Sequence, residues 1–191
     1  MPKKVLLINP PESGMGEHSF SPLGLLYVAG VLQNSGIPVK IVDGFLDGWQ
    51  GIERELEVYR PDIVGITCHT YARAHVLRIA KMAKDLLPDS LIVAGGAHPT
   101  IMNRQMLENY PFIDIVAIGE ADYCLKEIYD GNDYSKIAGI GYKKDGSVVI
   151  NPARDVIGDL DDIPFPAWDL LDLRRYPPDG VGVYRGIGLE K

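Results

Sequence analysis

The sequence has 191 residues, of which 46% are hydrophobic and 24% are charged, and its formal net charge is −7. This composition is typical of a folded domain with one hydrophobic core, and the acidic balance argues against a nucleic-acid-binding surface. The apolar runs are too short to cross a membrane, and the N-terminus turns polar too soon for a signal peptide. We therefore expect a cytoplasmic protein without a membrane span.

Short apolar, β-branched runs alternate with helical patterns from residue 4 to about residue 130. This alternation is typical of repeated βα units on a parallel sheet. The predicted strands cover residues 4–9, 38–43, 62–67, 91–96 and 114–119. The predicted helices cover residues 21–36, about 48–59, 71–87, about 100–109 and about 121–129. The expected fold class is α/β, with a Rossmann-like (flavodoxin-like), doubly wound, parallel five-stranded sheet.

The sequence indicates the two ends of one of these helices and the buried face of another. The first has a capping Ser21, Pro22 at the first helical position and a closing Gly36. In the helix over 71–87, the apolar spacing i, i+3, i+4 and i+7 places Val76, Ile79, Ala80 and Ala83 on one face.

The pattern changes after residue 136. Two β-prone runs flank Lys144-Asp145-Gly146 within residues 137–152, which predicts a hairpin. Residues 159–180 contain four prolines and many acids, so we expect an ordered linker with two or three helical turns after Pro166. The predicted division is a domain over 1–135, followed by this hairpin and linker over 136–191.

The two cysteines, Cys68 and Cys124, are too few and too far apart for a disulfide framework or a C-x-x-C metal site. We expect both to be reduced and buried as small hydrophobic side chains.

Ligands of open parallel α/β sheets bind outside the carboxyl ends of the strands. The loop from Pro10 to Gly24 follows the first strand and is much longer than the roughly 2–6 residues that are usual for such a connection. The candidate binding residues at these strand ends are Asn9, Pro10, Asp43, Thr67, His69, Thr70, Gly95, Gly96, His98, Pro99, Thr100, Gly119 and Glu120.

Common cofactor motifs fit this edge poorly. Gly14 and Gly16 form a G-x-G, but position 19 is serine, so the dinucleotide fingerprint lacks its third glycine. No G-x-x-x-x-G-K-[ST] motif occurs. A receiver-type phosphoacceptor would need acidic residues where Asn9 and Thr67 stand. Flavin binding remains open on fold class alone.

The ordered segments "NPP", "SPLGLLYVAGVLQNSGIPVKIVD", "PDIVGIT", "LIVAGGAHPT", "DIVAIGE" and "DLDDIPFPAWDLLDL" resemble the N-terminal cobalamin-binding domain of cobalamin-dependent radical S-adenosylmethionine (SAM) enzymes. The resemblance covers residues 4 to about 176. It implies that the lower face of the corrin and its nucleotide tail lie over the strand ends. Gly95 and Gly96 would then allow close backbone approach, the alternative being a plain strand-to-helix turn. The family also places Ser21, Pro22 and Leu23 near the corrin.

The resemblance also bears on the ligand below cobalt. The Asp-x-His-x-x-Gly motif of other cobalamin folds is absent from the matching "NPPESGMG". We therefore expect base-off cobalamin without a protein histidine ligand, with His18 as the alternative. His69 and His98 each have two possible roles, a hydrogen bond to the cofactor or a structural cap.

The remaining polar residues at this edge also keep two interpretations each. Two roles are possible for Thr67, Thr70 and Thr100: each could cap a helix or contact the ligand. For Glu120 the alternatives are a favourable position at a helix N-terminus and a ligand contact. His75 is expected to pack or to face the surface.

Enzymes of this family carry a C-x-x-x-C-x-x-C loop that binds a [4Fe–4S] cluster, and two cysteines cannot supply it. The resemblance thus implies a cobalamin-binding fragment whose partner, a C-terminal radical SAM domain with the cluster and SAM, is absent. The parent would be a methyltransferase or a rearrangement or cyclisation enzyme, and the fragment alone would not be catalytic. The alternatives are a complete flavodoxin-like redox or small-ligand protein, and a degenerate cobalamin fold with a structural role.

Overall fold

The structure, a computed structural model, describes residues 2–11 and 21–176 and is built on a mixed seven-stranded sheet. The strands are β1 (Val5–Asn9), β2 (Val39–Asp43), β3 (Ile63–Thr67), β4 (Leu91–Gly95), β5 (Ile115–Ala117), β6 (Ile140–Lys144) and β7 (Ser147–Ile150). Their order in the sheet is β2-β1-β3-β4-β5-β6-β7. The first five are parallel, in the flavodoxin-like order 2-1-3-4-5.

Helices cover both faces of the sheet, as a doubly wound fold requires. They are α1 (Leu23–Asn34), α2 (Gly44–Tyr59), α3 (Arg73–Leu86), α4 (Ala97–Asn109) and α5 (Cys124–Tyr129). The buried residues of α1 and α5 share one hydrophobic cluster, and those of α2, α3 and α4 share the cluster on the other face. The predicted fold class is therefore confirmed.

The number of strands differs from the prediction. The hairpin forms as expected, with Asp145 (φ 50°) and Gly146 (φ 76°) at its turn. It is not an appendage, because β6 pairs antiparallel with β5, Ile115 opposite Tyr142, and extends the sheet from five strands to seven. The side chains of Ile140 and Tyr142 are buried in the α1/α5 cluster, which explains why the hairpin belongs to the core.

The segment from residue 159 to residue 176, which we call the strap, lies along the domain surface. It contains short 3-10 turns at Leu160–Asp162, Trp168–Leu170 and Leu173–Arg175 instead of the predicted two or three helical turns after Pro166. The remaining residues of the predicted linker, 177–180, lie outside the described part of the chain. Among the described residues, no helix is both long and apolar enough to cross a bilayer.

Candidate functional site

A cleft of about 390 Å³ opens at the carboxyl edge of the parallel strands, on the face covered by α1 and α5. It includes the point between β1 and β3 where the strand order reverses, which is where ligands of open α/β sheets bind. Its volume lies in the range of roughly 300–1,000 Å³ that is usual for small-molecule sites.

The floor of the cleft exists because small residues face α1 and α5 where the central strands end. Side chains alternate between the two faces of a strand, so Gly95 points to the same face as Val93. Gly65 of β3 and Ala117 of β5 lie beside it in the lining. A side chain at Gly65 would collide with Leu7, whereas a Cβ at Gly95 would have Ala117 Cβ as its nearest neighbour, at 3.6 Å. The open volume therefore lies above Gly95.

The walls of the cleft are apolar and its mouth carries the polar groups. α1 contributes Leu25 and Val28, and α5 contributes Cys124 and Leu125. The mouth is formed by Thr67, by the start of α1 and by the residues Gly119–Asp122 between β5 and α5. This arrangement suits a ligand with an apolar part inside and a polar part at the strand ends.

The two adjacent glycines of the sequence have different roles. Gly96 has a φ of 100°, and a Cβ there would lie 3.0 Å from the carbonyl oxygen of Cys68. Its conformation is one that only glycine adopts readily, so the turn into α4 explains Gly96 without a ligand. Gly95 has no such constraint, and its missing side chain leaves the cleft open.

Hydrogen bonds among the candidate residues hold the strand-end loops together. The hydroxyl of Thr100 donates to the carbonyl of Gly96 (2.9 Å) and accepts from the backbone N–H of Gly119 (3.0 Å). His98 is 5% exposed and its Nδ1 lies 3.1 Å from the hydroxyl of Thr70. Burial lowers the pKa of His98, because the charged imidazolium would lose water, and the nearby Arg73 lowers it further.

Several other predicted residues lie away from the cleft. Asn9 and Asp43 meet in the corner between β1 and β2, where the amide of Asn9 donates to Asp43 Oδ1 (2.9 Å). His69 is exposed and stacks on Tyr71, with ring centroids 5.6 Å apart. His75 Nδ1 donates to the carbonyl of Pro11 (2.5 Å), so this histidine supports the end of the first strand.

Six predicted site residues line the cleft and ten do not. Those in the lining are Leu23, Thr67, Gly95, Gly96, Gly119 and Glu120. Those outside it are Asn9, Pro10, Ser21, Pro22, Asp43, His69, Thr70, His98, Pro99 and Thr100. His18 lies outside the described residues.

Glu120 does not occupy the predicted position at a helix N-terminus, because α5 begins only at Cys124. Sequence reasoning missed Gly65, Ala117 and Val28. The sequence did contain a signal for Gly65 and Ala117, because each is a small residue at a strand position where the other residues on the same face are bulky.

The two cysteines lie in different hydrophobic clusters, Cys68 with α2 to α4 and Cys124 with α1 and α5, on opposite faces of the sheet. Both are buried free thiols, and burial raises the pKa of each to about 12. They cannot bind one metal ion together.

Comparisons with known proteins identify the family of this chain. A family model described as the B12 binding domain matches residues 16–129. An uncharacterised methyltransferase of Pyrococcus horikoshii is 35% identical over 188 residues, covering 93% of this chain and 41% of the relative. An anaerobic magnesium-protoporphyrin IX monomethyl ester cyclase of Synechocystis is 29% identical over 186 residues, covering 91% of this chain and 37% of the relative. The chain thus spans well under half of these relatives.

Solved structures show the same fold. The cobalamin-dependent SAM radical enzyme OxsB, with aqua-cobalamin and SAM bound, superposes with a TM-score of 0.78 at 19% identity, covering 88% of this chain and 24% of that one. The radical SAM methyltransferase TsrM of Kitasatospora setae, with cobalamin and a [4Fe–4S] cluster bound, gives 0.69 at 21% identity, covering 87% and 31%. With the family model matching more than half of its length, the chain belongs to the B12-binding domain family.

Proposed function

We propose that the cleft binds cobalamin, with the nucleotide tail in the cleft above Gly95 and the corrin over the carboxyl edge of the sheet. The observation that carries this proposal is the open floor at Gly95, because its missing side chain is not explained by the backbone. The apolar walls suit the benzimidazole base, and the polar mouth suits the amide groups of a corrin. On this proposal, Thr67 and Glu120, both in the lining, meet those amides.

The proposed cofactor state is base-off, without a protein histidine below cobalt. Two observations support it: His98 is buried with its Nδ1 at Thr70, and His75 is bonded to Pro11. When bound, cobalamin supplies an organometallic cobalt centre whose reactivity depends on its axial ligands. The residues of this chain hold the tail, orient the ring and exclude water from the base.

The parent protein, on this proposal, is a radical SAM enzyme that performs methyl transfer or a cyclisation. The relatives named above include a methyltransferase and a cyclase, and both are more than twice as long as the matched region. Residues 1–135 would form the cobalamin domain, and 136–191 would lead to a radical SAM domain that holds the [4Fe–4S] cluster and SAM. Because Cys68 and Cys124 lie on opposite faces of the sheet, this chain alone would bind the cofactor without performing radical chemistry. We also propose that the protein is cytoplasmic.

The test is to incubate the 191-residue chain with hydroxocobalamin, desalt it and record the absorbance spectrum. We expect stoichiometric retention with a base-off spectrum. Loss of all corrinoid on desalting would contradict the proposed function. Incubation with flavin mononucleotide under the same conditions is the comparison, since retention of flavin instead would favour a flavodoxin-like protein.

A further inference from the structure

Asp43 ends β2 at the same edge of the sheet as the cleft, yet it is not part of the cleft lining and is 1% exposed. Besides the amide of Asn9, the backbone N–H of Phe45 donates to its Oδ1 (3.0 Å). Its Oδ2 accepts a hydrogen bond from the hydroxyl of Tyr176 (2.5 Å). A buried carboxylate is tolerated where hydrogen-bond donors replace water. For Asp43 those donors come from the protein itself, and burial is the main cause of its raised pKa.

Tyr176 reaches this carboxylate from 133 residues further along the chain. It is 5% exposed, and burial together with the bond to Asp43 raises its pKa. The preceding Arg175 donates from its guanidinium to Asp47 Oδ1 (2.9 Å) and to the carbonyl of Leu46 (3.2 Å). The end of the strap is thus attached to the corner where β2 enters α2.

The strap is also attached to α1, on its way to this corner. The backbone N–H of Ala167 donates to the carbonyl of Leu26 (3.0 Å), and Gln33 donates to Asp169 (3.0 Å). A Cβ at Gly30 would overlap the carbonyl oxygen of Phe165, so α1 has a glycine where the strap passes. The path of the strap is therefore specified along its length, and not only at its end.

We propose that the pair Asp43 and Tyr176 acts as a pin between domains. It holds the end of the strap, at Arg175 and Tyr176, against the carboxyl edge of the sheet. On the proposed function, the chain that continues towards the radical SAM domain then starts from a fixed position beside the cleft. This inference rests on the proposed function, because that domain must face the bound cofactor. Asp43 and Tyr176 are positioning residues. Asp43 holds the strap in place and does not bind the cofactor.

The first experiment uses the 191-residue chain with Tyr176→Phe, which removes only the hydroxyl. Hydrogen exchange of strap peptides over 164–176 should become about 10- to 100-fold faster, because a hydrogen bond to a buried carboxylate is lost. Cobalamin affinity should equal that of the wild type. Tyr110→Phe, at the end of α4 on the other face of the sheet, is the matched control and should change neither measurement.

Two results would overturn the pin. Unchanged exchange of the strap would show that the hydroxyl does not hold it. A loss of cobalamin affinity in both Tyr176→Phe and Asp43→Asn, with folded proteins, would show that Asp43 serves the cofactor. If the wild type binds no cobalamin, the proposed function fails, and the exchange measurement still reports whether the pin holds the strap.

The second experiment introduces Tyr176→Phe into the full-length parent. Turnover should fall while the cobalamin content stays that of the wild type, because the chain that leads to the radical SAM domain loses its fixed starting point. Full activity with a loosened strap would contradict the role of the pin between domains.

Discussion

The substitution Gly95→Val is the sharpest test of the cofactor cleft, because Gly95 is open to the cleft and unconstrained by its own backbone. Gly96 is a poorer test, since its φ of 100° makes any side chain a strain on the fold itself. Adding carbon atoms to a filled site costs about 1–3 kcal/mol. That cost corresponds to about a 5- to 150-fold rise in the Kd for hydroxocobalamin. Gly95→Ala should give the lower end of this range.

The stability of these variants should move in the opposite direction to their affinity. The nearest atom to a new Cβ is that of Ala117, at an ordinary contact distance of 3.6 Å. Replacing glycine by alanine at an unstrained position stabilises a protein by about 0.4–1 kcal/mol through the unfolded chain. Urea denaturation of the free protein and absorbance titration with hydroxocobalamin measure the two effects separately. Gly158→Ala, exposed and remote from the cleft, is the control. A wild-type Kd in folded Gly95→Val would refute the assignment of the cleft.

Four further predictions follow from the histidines and cysteines. Neither His69→Ala nor His98→Ala should change the nitrogen hyperfine splitting of bound cobalt(II) in paramagnetic resonance, and loss of a splitting in either would identify a ligand. Because the pKa of His98 is lowered from 6.5, the unfolded chain binds more protons between the two pKa values. The contribution of His98 to stability is therefore complete above pH 6.5 and is lost as the pH falls, so the free energy of unfolding should drop less in His98→Asn than in the wild type between pH 7.5 and 5.5. Iodoacetamide at pH 7.5 should modify Cys68 and Cys124 only in denaturant, since both thiols are buried with pKa values of about 12, and fast modification of the folded chain would contradict this. Anaerobic reconstitution with iron and sulfide should yield no four-iron cluster and no 5′-deoxyadenosine, because the two thiols lie in different clusters.

The strands were predictable because a parallel strand covered on both faces is apolar throughout, and each predicted run contains the observed strand. The hairpin was predictable from Asp145-Gly146, whose left-handed conformations the structure shows. Its addition to the sheet was not, because the pairing of Ile115 with Tyr142 joins residues far apart in sequence. The start of α5 at Cys124 was also missed, since the residues before it form the mouth of the cleft.

The position of the candidate site could be predicted from the sequence, but only some of the residues that line it could. The topology puts every parallel strand end at one edge, so a cleft there follows from the fold class. Which strand-end residues face that cleft depends on the alternation within each strand, and this identifies Gly65 and Ala117 once the helices on each face are known. The sequence alone does not tell which helices lie on which face.

Asp43 shows why a polar residue at a strand end is an ambiguous signal. Its position predicted a ligand contact, whereas the structure surrounds it with Asn9, Phe45 and Tyr176. The donor that distinguishes the two interpretations lies 133 residues away, in a strap whose path depends on Gly30 and the surface of α1. A carboxylate that is 1% exposed has no surface to offer a ligand, so burial decides between them. The same edge of the sheet thus combines an open floor at Gly95 with a closed anchor at Asp43, and the contrast places the proposed cofactor site beside the end of the strap.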